Sequence, residues 1–381
     1  MRVILTGGGT GGHIYPALSV AGCLDGDELL YVGTAQGPEA EIVPRAGLEF
    51  RSVPSRKLAR GGSPLALVGA LGVSALGILR AVGLLREWRP DVVLGTGGYA
   101  SAGVMFAAAL LRIPTVIHEA NAVPGRVNQL LARLCTRVAV TYAATQSCFP
   151  ASKTVVTGMP VRPDLLRADP RRAQEKYDLD PNAPLLLVSG GSGGAQTLNR
   201  AVLQALPLLA GSGLQVVHQT GKSLFEGVRA EVPEPPVWYH PLPYLEDMPS
   251  LLAAATVILC RAGSSTLAEV TALGIPAIVV PYPYAVADHQ TGNARALAEA
   301  GAAIVVKDAE LTGERLHQEV TGLLADRVRL TALRERCRAQ GNPDSARVVA
   351  ELVRNTARPG RARNSHQAAD SSQQTADSRP Y

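Results

Sequence analysis

Cysteine is scarce in this 381-residue chain, and its five copies, Cys23, Cys135, Cys148, Cys260 and Cys337, are scattered without any C-x-x-C spacing. That pattern argues against a zinc site and against a disulfide framework, and fits a reducing cytoplasm. A secretory signal is not expected, because the apolar start is interrupted at Gly7 before a signal core could form. Clustered basic residues interleaved with aromatics are lacking too, so nucleic acid is not an expected partner. The net charge of +5 lies wholly in the first half: Met1 to Pro160 holds 14 basic and 9 acidic residues, the remainder 23 of each. Such a bias is the direction expected of a half that meets an anionic surface.

What is present is a strand that runs into glycines and then into a helical pattern, MRVILTGGGTGGHIYPALSVAGCL. Glycines between a buried parallel strand and a helix let backbone N–H groups and the helix N-terminus face an anion. The pattern recurs as GTGGYAS at Gly95 to Ser101, and as LLLVSGGSGGAQ at Leu185 to Gln196. The first loop lacks the Gly-Lys-Ser/Thr ending of a P-loop. The second strand ends at Gly33 and Thr34 with no acidic residue to take a ribose hydroxyl, which weakens a dinucleotide reading. Three anion-type turns divided between two halves fit one ligand with a diphosphate and a polyhydroxylated body.

Short apolar runs alternate with helical stretches, as in repeated βα units. Strands are expected at 2–6, 29–32, 91–95, 115–118, 137–140 and 155–157, then at 185–189, 214–219, 257–260, 277–281 and 303–305. GMPVRP at Gly158 to Pro163 reads as the linker between the two series. The fold class expected is α/β, two Rossmann-like domains facing across a cleft. Residues 1–160 would form the first and 161–340 the second. A helix at 341–357 would pack back on the first domain, and 358–381, almost without apolar residues, would be disordered.

Asp25-Gly26-Asp27 resembles the D-x-D that holds a metal in some glycosyltransferases, but it falls between a helix and a strand and reads as turn chemistry. His118, His218, His240 and His289 show no i, i+4 pairing that would suggest zinc. No metal and no cofactor are expected. The stretch Leu65 to Leu85 carries only Arg80 as a charge, yet is too short before that charge, and too rich in glycine, to span a bilayer. It reads as a buried helix with two apolar faces. Leu67, Leu71, Ile78, Val82 and Leu85 lie on one; Leu65, Val73, Leu76 and Leu84 lie on the other. The second face, flanked by Arg56, Lys57, Arg60, Arg80, Arg86 and Arg89, is expected to dock on anionic lipid.

Seven motifs together resemble the MurG family of bacterial glycosyltransferases, two-domain enzymes of the GT-B type. They are GGTGGHIYPA, GTGGYAS, HEANAVPG, GMPVR, GGSGGA, CRAGSSTLAE and DHQTGNA, and the likeness covers roughly residues 1–357. Two positions depart from the family's usual HEQN and GNPVR, where this chain has Ala120 and Met159. The resemblance implies inverting transfer of N-acetylglucosamine from UDP-N-acetylglucosamine to the C4 hydroxyl of the muramyl sugar of lipid I, giving lipid II for peptidoglycan. It implies a peripheral enzyme on the cytoplasmic face of the cell membrane, with partners among cell-wall synthesis proteins. It also implies donor contacts at Thr10, Gly11, Gly12, Asn121, Arg162, Ser192, Leu245, Glu269 and Gln290. The acceptor's pyrophosphate would occupy the first-half glycine loops.

His13, where the first helix starts, is the expected general base, because a positive helix end keeps imidazole neutral. Glu119 is the alternative carboxylate. A nucleotide-sugar epimerase, a glycosyltransferase acting on diacylglycerol or a natural product, and a non-catalytic UDP-binding scaffold are the other classes considered.

Overall fold

The computed structural model describes residues 1–55, 64–191 and 193–357, with side chains of 64–71 excluded. The expected tail at 358–381, the basic residues Arg56, Lys57 and Arg60, and Ser192 lie outside the described residues.

The chain begins with β1 (Arg2–Thr6), α1 (Gly11–Ala21), β2 (Glu28–Gly33), α2 (Glu39–Arg45), β3 (Glu49–Ser52) and the long α3 (Pro64–Trp88). It continues through β4 (Val92–Gly95), α4 (Tyr99–Leu110), β5 (Thr115–Glu119), α5 (Arg126–Ala132), β6 (Arg137–Val140) and β7 (Thr154–Val156). These strands make one parallel sheet in the order β3-β2-β1-β4-β5-β6-β7. The second half runs α6 (Pro170–Tyr177), β8 (Leu185–Ser189), α7 (Gln196–Leu209), β9 (Gln215–Gln219), α8 (Phe225–Glu231), β10 (Tyr239–Leu242) and α9 (Met248–Ala254). Then come β11 (Val257–Arg261), α10 (Ser264–Leu273), β12 (Ala277–Val280), α11 (His289–Glu299), β13 (Ile304–Val305), α12 (Gly313–Ala325), α13 (Arg327–Ala339) and α14 (Ser345–Thr356). Its sheet, also parallel, has the order β10-β9-β8-β11-β12-β13.

Both orders are doubly wound, with the direction of winding reversing between β1 and β4 and between β8 and β11. Ligands of such sheets bind beyond the carboxyl ends of the strands at that reversal, which is where all three glycine loops fall. Central strands β5, β8 and β9 are buried along their whole length and share apolar or β-branched middles, while the buried polar residues His118 and Glu119 of β5, and His218 and Gln219 of β9, lie at the carboxyl ends. The sequence pattern missed only β3 and β10, one edge strand of each sheet. Edge strands need no continuous apolar run: β3 reads EFRS, and β10 reads YHPL with a proline that an edge alone tolerates.

Helices cover each sheet on both faces. In the first sheet, α3, α4 and α5 contribute to one core, in which Ala81, Leu85 and Trp88 of α3 are buried. The other face of α3 differs from the sequence expectation. Leu84 packs against this core, and Leu76 and Leu79 are the leucines turned outward, at 47% and 69% exposure. An i, i+3 pair makes a narrower stripe than a second full face, and that suffices once α4 flanks the helix.

The opposite core is completed from the far end of the chain. Val349, Ala350 and Val353 of α14 pack with Val3, Leu5, Ile14 and Val92. Two further bonds pin the chain where it crosses back: Asn342 Nδ2 donates to the Thr157 carbonyl at 2.8 Å, and Ser345 Oγ to the Met159 carbonyl at 2.5 Å. At this crossing the departure at Met159 leaves a buried apolar side chain whose sulfur lies 3.8 Å from Thr141 Oγ1. Asp27 accepts from the N-terminal amine at 2.9 Å and from Arg354 at 3.3 Å. The carboxylate that might have suggested a metal ligand is a brace for α14.

Burial and surface charge are thereby separable at adjacent positions. Val353→Ala should lower unfolding free energy by roughly 1–3 kcal/mol in urea, through lost burial and a cavity. Arg354→Ala should cost under about 1 kcal/mol, since its side chain is 42% exposed. Equal losses would mean that the ion pair, and not the apolar face, docks the helix.

Candidate active site

Thr10 and its two following glycines open α1 without a side-chain cap and without an acidic residue in the first turn, so the helix end stays positive and open. His13 sits two residues inside it. Its Nδ1 lies 2.9 Å from the Thr96 carbonyl, and Thr96 Oγ1 donates to the His13 carbonyl at 2.6 Å. A carbonyl only accepts, so Nδ1 carries the proton and Nε2 keeps its lone pair. Burial, aided by the neighbouring His289, holds the ring below the usual histidine range, so the imidazole is neutral at pH 7.

The second glycine loop makes this clamp possible. Gly97 and Gly98 have φ of +101° and +85°, and a Cβ on Gly97 would lie 2.9 Å from His13 Nδ1. Gly8 N–H donates to the Gly97 carbonyl at 3.3 Å. The first two loops thus pack on each other backbone to backbone, a use of glycine additional to facing an anion.

Behind them lies a residue that sequence reasoning passed over. Glu39 is fully buried and accepts from Gly9 N–H at 3.0 Å, Thr34 N–H at 3.0 Å and Thr34 Oγ1 at 2.7 Å. A Cβ on Gly33 would meet its side chain at 2.6 Å. Its only sequence signal was an acidic residue a few places beyond a Gly-ended strand, where no ribose contact was sought.

Glu119, weighed as a base, is committed elsewhere. Oε1 accepts from Asn121 N–H at 3.0 Å and lies 3.3 Å from Asn121 Nδ2. Oε2 accepts from Gly125 N–H at 3.1 Å and Asn128 Nδ2 at 2.8 Å. Burial raises its carboxyl above the usual range, and these four donors oppose that shift. It shapes the HEANAVPG loop. His118 beside it donates through Nε2 to the Gly158 carbonyl at 3.0 Å, and burial lowers its pKa to about 4.

From the second half, Arg162 places its guanidinium 3.1 Å from Glu269 Oε1 and 5.5 Å from the ring centroid of Tyr15 on α1. Arg162, expected as a donor contact, is therefore already engaged within the protein, and Tyr15, which the sequence did not single out, joins the halves. Burial raises the Glu269 carboxyl while Arg162 opposes the shift. Gln290 in the first turn of α11 accepts the Tyr282 N–H at 2.9 Å, and the Leu245 side chain lies in the core. The third glycine loop opens α7, which has no side-chain cap and no acidic residue in its first turn. A buried chain steadies that loop: Asn199 Nδ2 donates to the Thr220 carbonyl, while His218 lies 3.0 Å from both Asn199 Oδ1 and the Tyr239 hydroxyl.

The structure thus sets the start of α1, which carries Thr10, Gly11, Gly12 and His13, towards the other half, with Tyr15 meeting Arg162 and Gly12 facing α10. A Cβ on Gly12 would lie 3.7 Å from Ser265 Oγ at the start of α10. Asn121 bonds across the same gap to Ser264 Oγ at 2.6 Å.

Two doubly wound sheets that meet at their carboxyl edges, with glycine loops on both lips, are the build of a GT-B glycosyltransferase. Residues 3–140 match the glycosyltransferase family 28 N-terminal domain, and residues 185–349 its C-terminal domain. The chain belongs to glycosyltransferase family 28. It is 42% identical to a protein of Desulforudis audaxviator, over 94% of this chain and 100% of the relative. A Moorella thermoacetica protein gives the same identity and the same coverage. Both carry the name UDP-N-acetylglucosamine–N-acetylmuramyl-(pentapeptide) pyrophosphoryl-undecaprenol N-acetylglucosamine transferase. Among solved structures, Acinetobacter baumannii MurG is similar with a TM-score of 0.73 and 33% identity, covering 93% of this chain and 99% of that one. A UDP-GlcNAc 2-epimerase from Neisseria meningitidis shares the fold, at TM-score 0.67 and 14% identity, covering 93% of this chain and 100% of that one.

The Glu39 arrangement predicts a difference between two substitutions. Glu39→Ala leaves buried N–H groups unpaired and should destabilise by roughly 2–4 kcal/mol. Glu39→Gln keeps one acceptor oxygen and should lose distinctly less. Thermal unfolding of both variants measures it; equal losses would point to the charge, and not the hydrogen bonds, as the holding force.

Proposed function

We propose that this protein transfers N-acetylglucosamine from UDP-N-acetylglucosamine to the C4 hydroxyl of the muramyl sugar of lipid I, with inversion and without a metal. The observation that carries the chemistry is His13: a neutral imidazole whose Nδ1 is fixed on Thr96 and whose Nε2 is left to accept a proton. The acceptor oxygen attacks the anomeric carbon as its proton passes to Nε2, and the bond to UDP breaks on the opposite face. UDP is already a good leaving group, so one base suffices. Its developing charge meets the open N-terminus of α7.

In this reading Glu269 keeps Oε2 for the ribose diol, and Leu245 reads uracil through its backbone. Gln290 offers Nε2 and Asn121 one amide hydrogen, and Ser192, outside the described residues, is the further donor contact that the family resemblance implies. Thr10, Gly11 and Gly12 add the open end of α1. The acceptor pyrophosphate approaches that same end, with the Gly9 N–H excluded because Glu39 holds it.

No helix among the described residues is long and apolar enough to cross a membrane. The lipid acceptor is instead reached from the face shared by α3, α4 and α5, where Leu79, Leu110 and Leu130 are each about two-thirds exposed, at 69%, 65% and 64%. Arg80, Arg86, Arg126 and Arg133 are exposed on the same helices or just beyond them. Apolar side chains ringed by arginines suit an anionic bilayer surface, on its cytoplasmic side, where lipid I and partner proteins of cell-wall synthesis would be met.

Purified protein incubated with UDP-N-acetylglucosamine and a lipid I analogue should yield UDP and a disaccharide product by mass spectrometry. His13→Ala should lower turnover by about 10²- to 10⁴-fold while UDP affinity stays within a few-fold. Because the ring must be neutral to act and its pKa lies below 6.5, kcat/KM should persist through pH 6.5 and fall only at more acid pH. Release of free sugar, or unchanged turnover in the variant, would defeat this assignment.

Membrane docking has its own test. Leu79→Ser with Leu110→Ser should weaken binding to anionic vesicles and turnover of a long-chain acceptor, and spare a short-chain soluble acceptor. Vesicle binding that is equal for neutral and anionic lipid, or insensitive to high salt, would exclude the electrostatic part.

A further inference from the structure

The two halves also meet at a polar seam that the proton transfer does not use. Asn293, on α11, is fully buried. Its Oδ1 accepts the Ala122 N–H at 2.8 Å. Its Nδ2 lies 3.1 Å from the Ala262 carbonyl, 3.2 Å from Asn121 Oδ1 and 3.2 Å from Ser264 Oγ. Ser264 Oγ donates to that same Asn121 oxygen at 2.6 Å. Asn121 Nδ2 is turned the other way, 3.3 Å from Glu119 Oε1.

An amide has an accepting end and a donating end of nearly the same shape, and only its partners decide which way it faces. Here the second half claims the oxygen of Asn121 and Glu119 claims the nitrogen, which leaves one N–H to present to the cleft. Next to this network the backbones close tightly: a Cβ on Gly292 would lie 2.6 Å from Val123 Cγ2.

We propose that Asn293 and Gly292, with Ser264, are positioning residues that fix the Asn121 amide when the halves close, so that recognition of the donor's sugar depends on closure at this seam. The inference rests on the proposed reading of Asn121 as a donor contact, and it assigns that contact to the sugar. Asn293 itself stands behind Asn121 and acts through it. The uridine end of the donor, held by the second half, is indifferent to the seam; the sugar is not.

Gly292→Ala tests this without weakening the helix, since alanine is the better helix former. Its methyl meets Val123 and wedges the seam. In calorimetry on the full chain, UDP affinity should stay within about twofold while UDP-N-acetylglucosamine affinity falls about tenfold or more. Gly292→Ala combined with Val123→Ala should recover most of that loss. Asn293→Asp should weaken the sugar nucleotide selectively as well, because it keeps the acceptor for Ala122 and sets an oxygen against Asn121 Oδ1. Equal weakening of both ligands, no weakening, or no recovery in the double variant would overturn the proposal. Donor binding is read without acceptor, so wild-type protein that binds the sugar nucleotide yet fails to glycosylate a lipid I analogue would count against the proposed function alone.

Discussion

The candidate site is organised around Thr96, the first residue beyond β4. Its carbonyl fixes the His13 tautomer and its hydroxyl ties down the His13 backbone, so one threonine at the winding reversal sets both the protonation and the place of the ring. That grip requires two backbones to pass at a distance no side chain allows, which is why Gly97 and Gly98 follow it in left-handed conformations. The parallel sheet imposes the location. Its strands deliver both loops to the same edge, and the reversal between β1 and β4 opens the gap between them.

Two buried carboxylates play matching parts on either side of that gap. Glu39 gathers N–H groups behind the first glycine loop, and Glu119 gathers them inside the loop that carries Asn121. Both loops lie outside helix and sheet, so their backbone N–H groups need partners of this kind. A carboxylate that accepts several backbone donors meets that need at a cost in desolvation, which those donors offset.

Much of this was legible in the sequence, and for a physical reason. Interior strands are covered on both faces and carry an apolar or β-branched run, so β1, β6 and β8 could be bounded to the residue. Edge strands are free of that rule: β3 and β10, mixed in polarity or broken by proline, escaped, while the edges β7 and β13 keep short β-branched runs and were read. The glycine loops and His13 were readable because local backbone geometry demands particular residues there. Glu39, Tyr15 and Asn293 were not, since each draws its meaning from a partner brought near by the fold: Gly9, Arg162 and Ala122 respectively. The stripe on α3 was half readable. Periodicity gave the helix and its inward Leu85, while the choice between Leu79 and Leu84 as the outward leucine depended on neighbouring helices.

The return of α14 to the first sheet has a consequence for the order in which the protein can be made. Arg354 and Asp27 stand 327 positions apart, and Val353 shares a core with Val3. The sheet that leaves the ribosome first therefore waits for nearly the last helix to seal one of its faces. At about 5–20 residues per second, that face stays open for tens of seconds of synthesis. The second half, whose two cores draw on residues from Val161 to Cys337, takes no apolar core residue from the first and can pack those cores before it. The half that carries His13 is finished on a scaffold already folded, which inverts the usual sequence of a nascent chain.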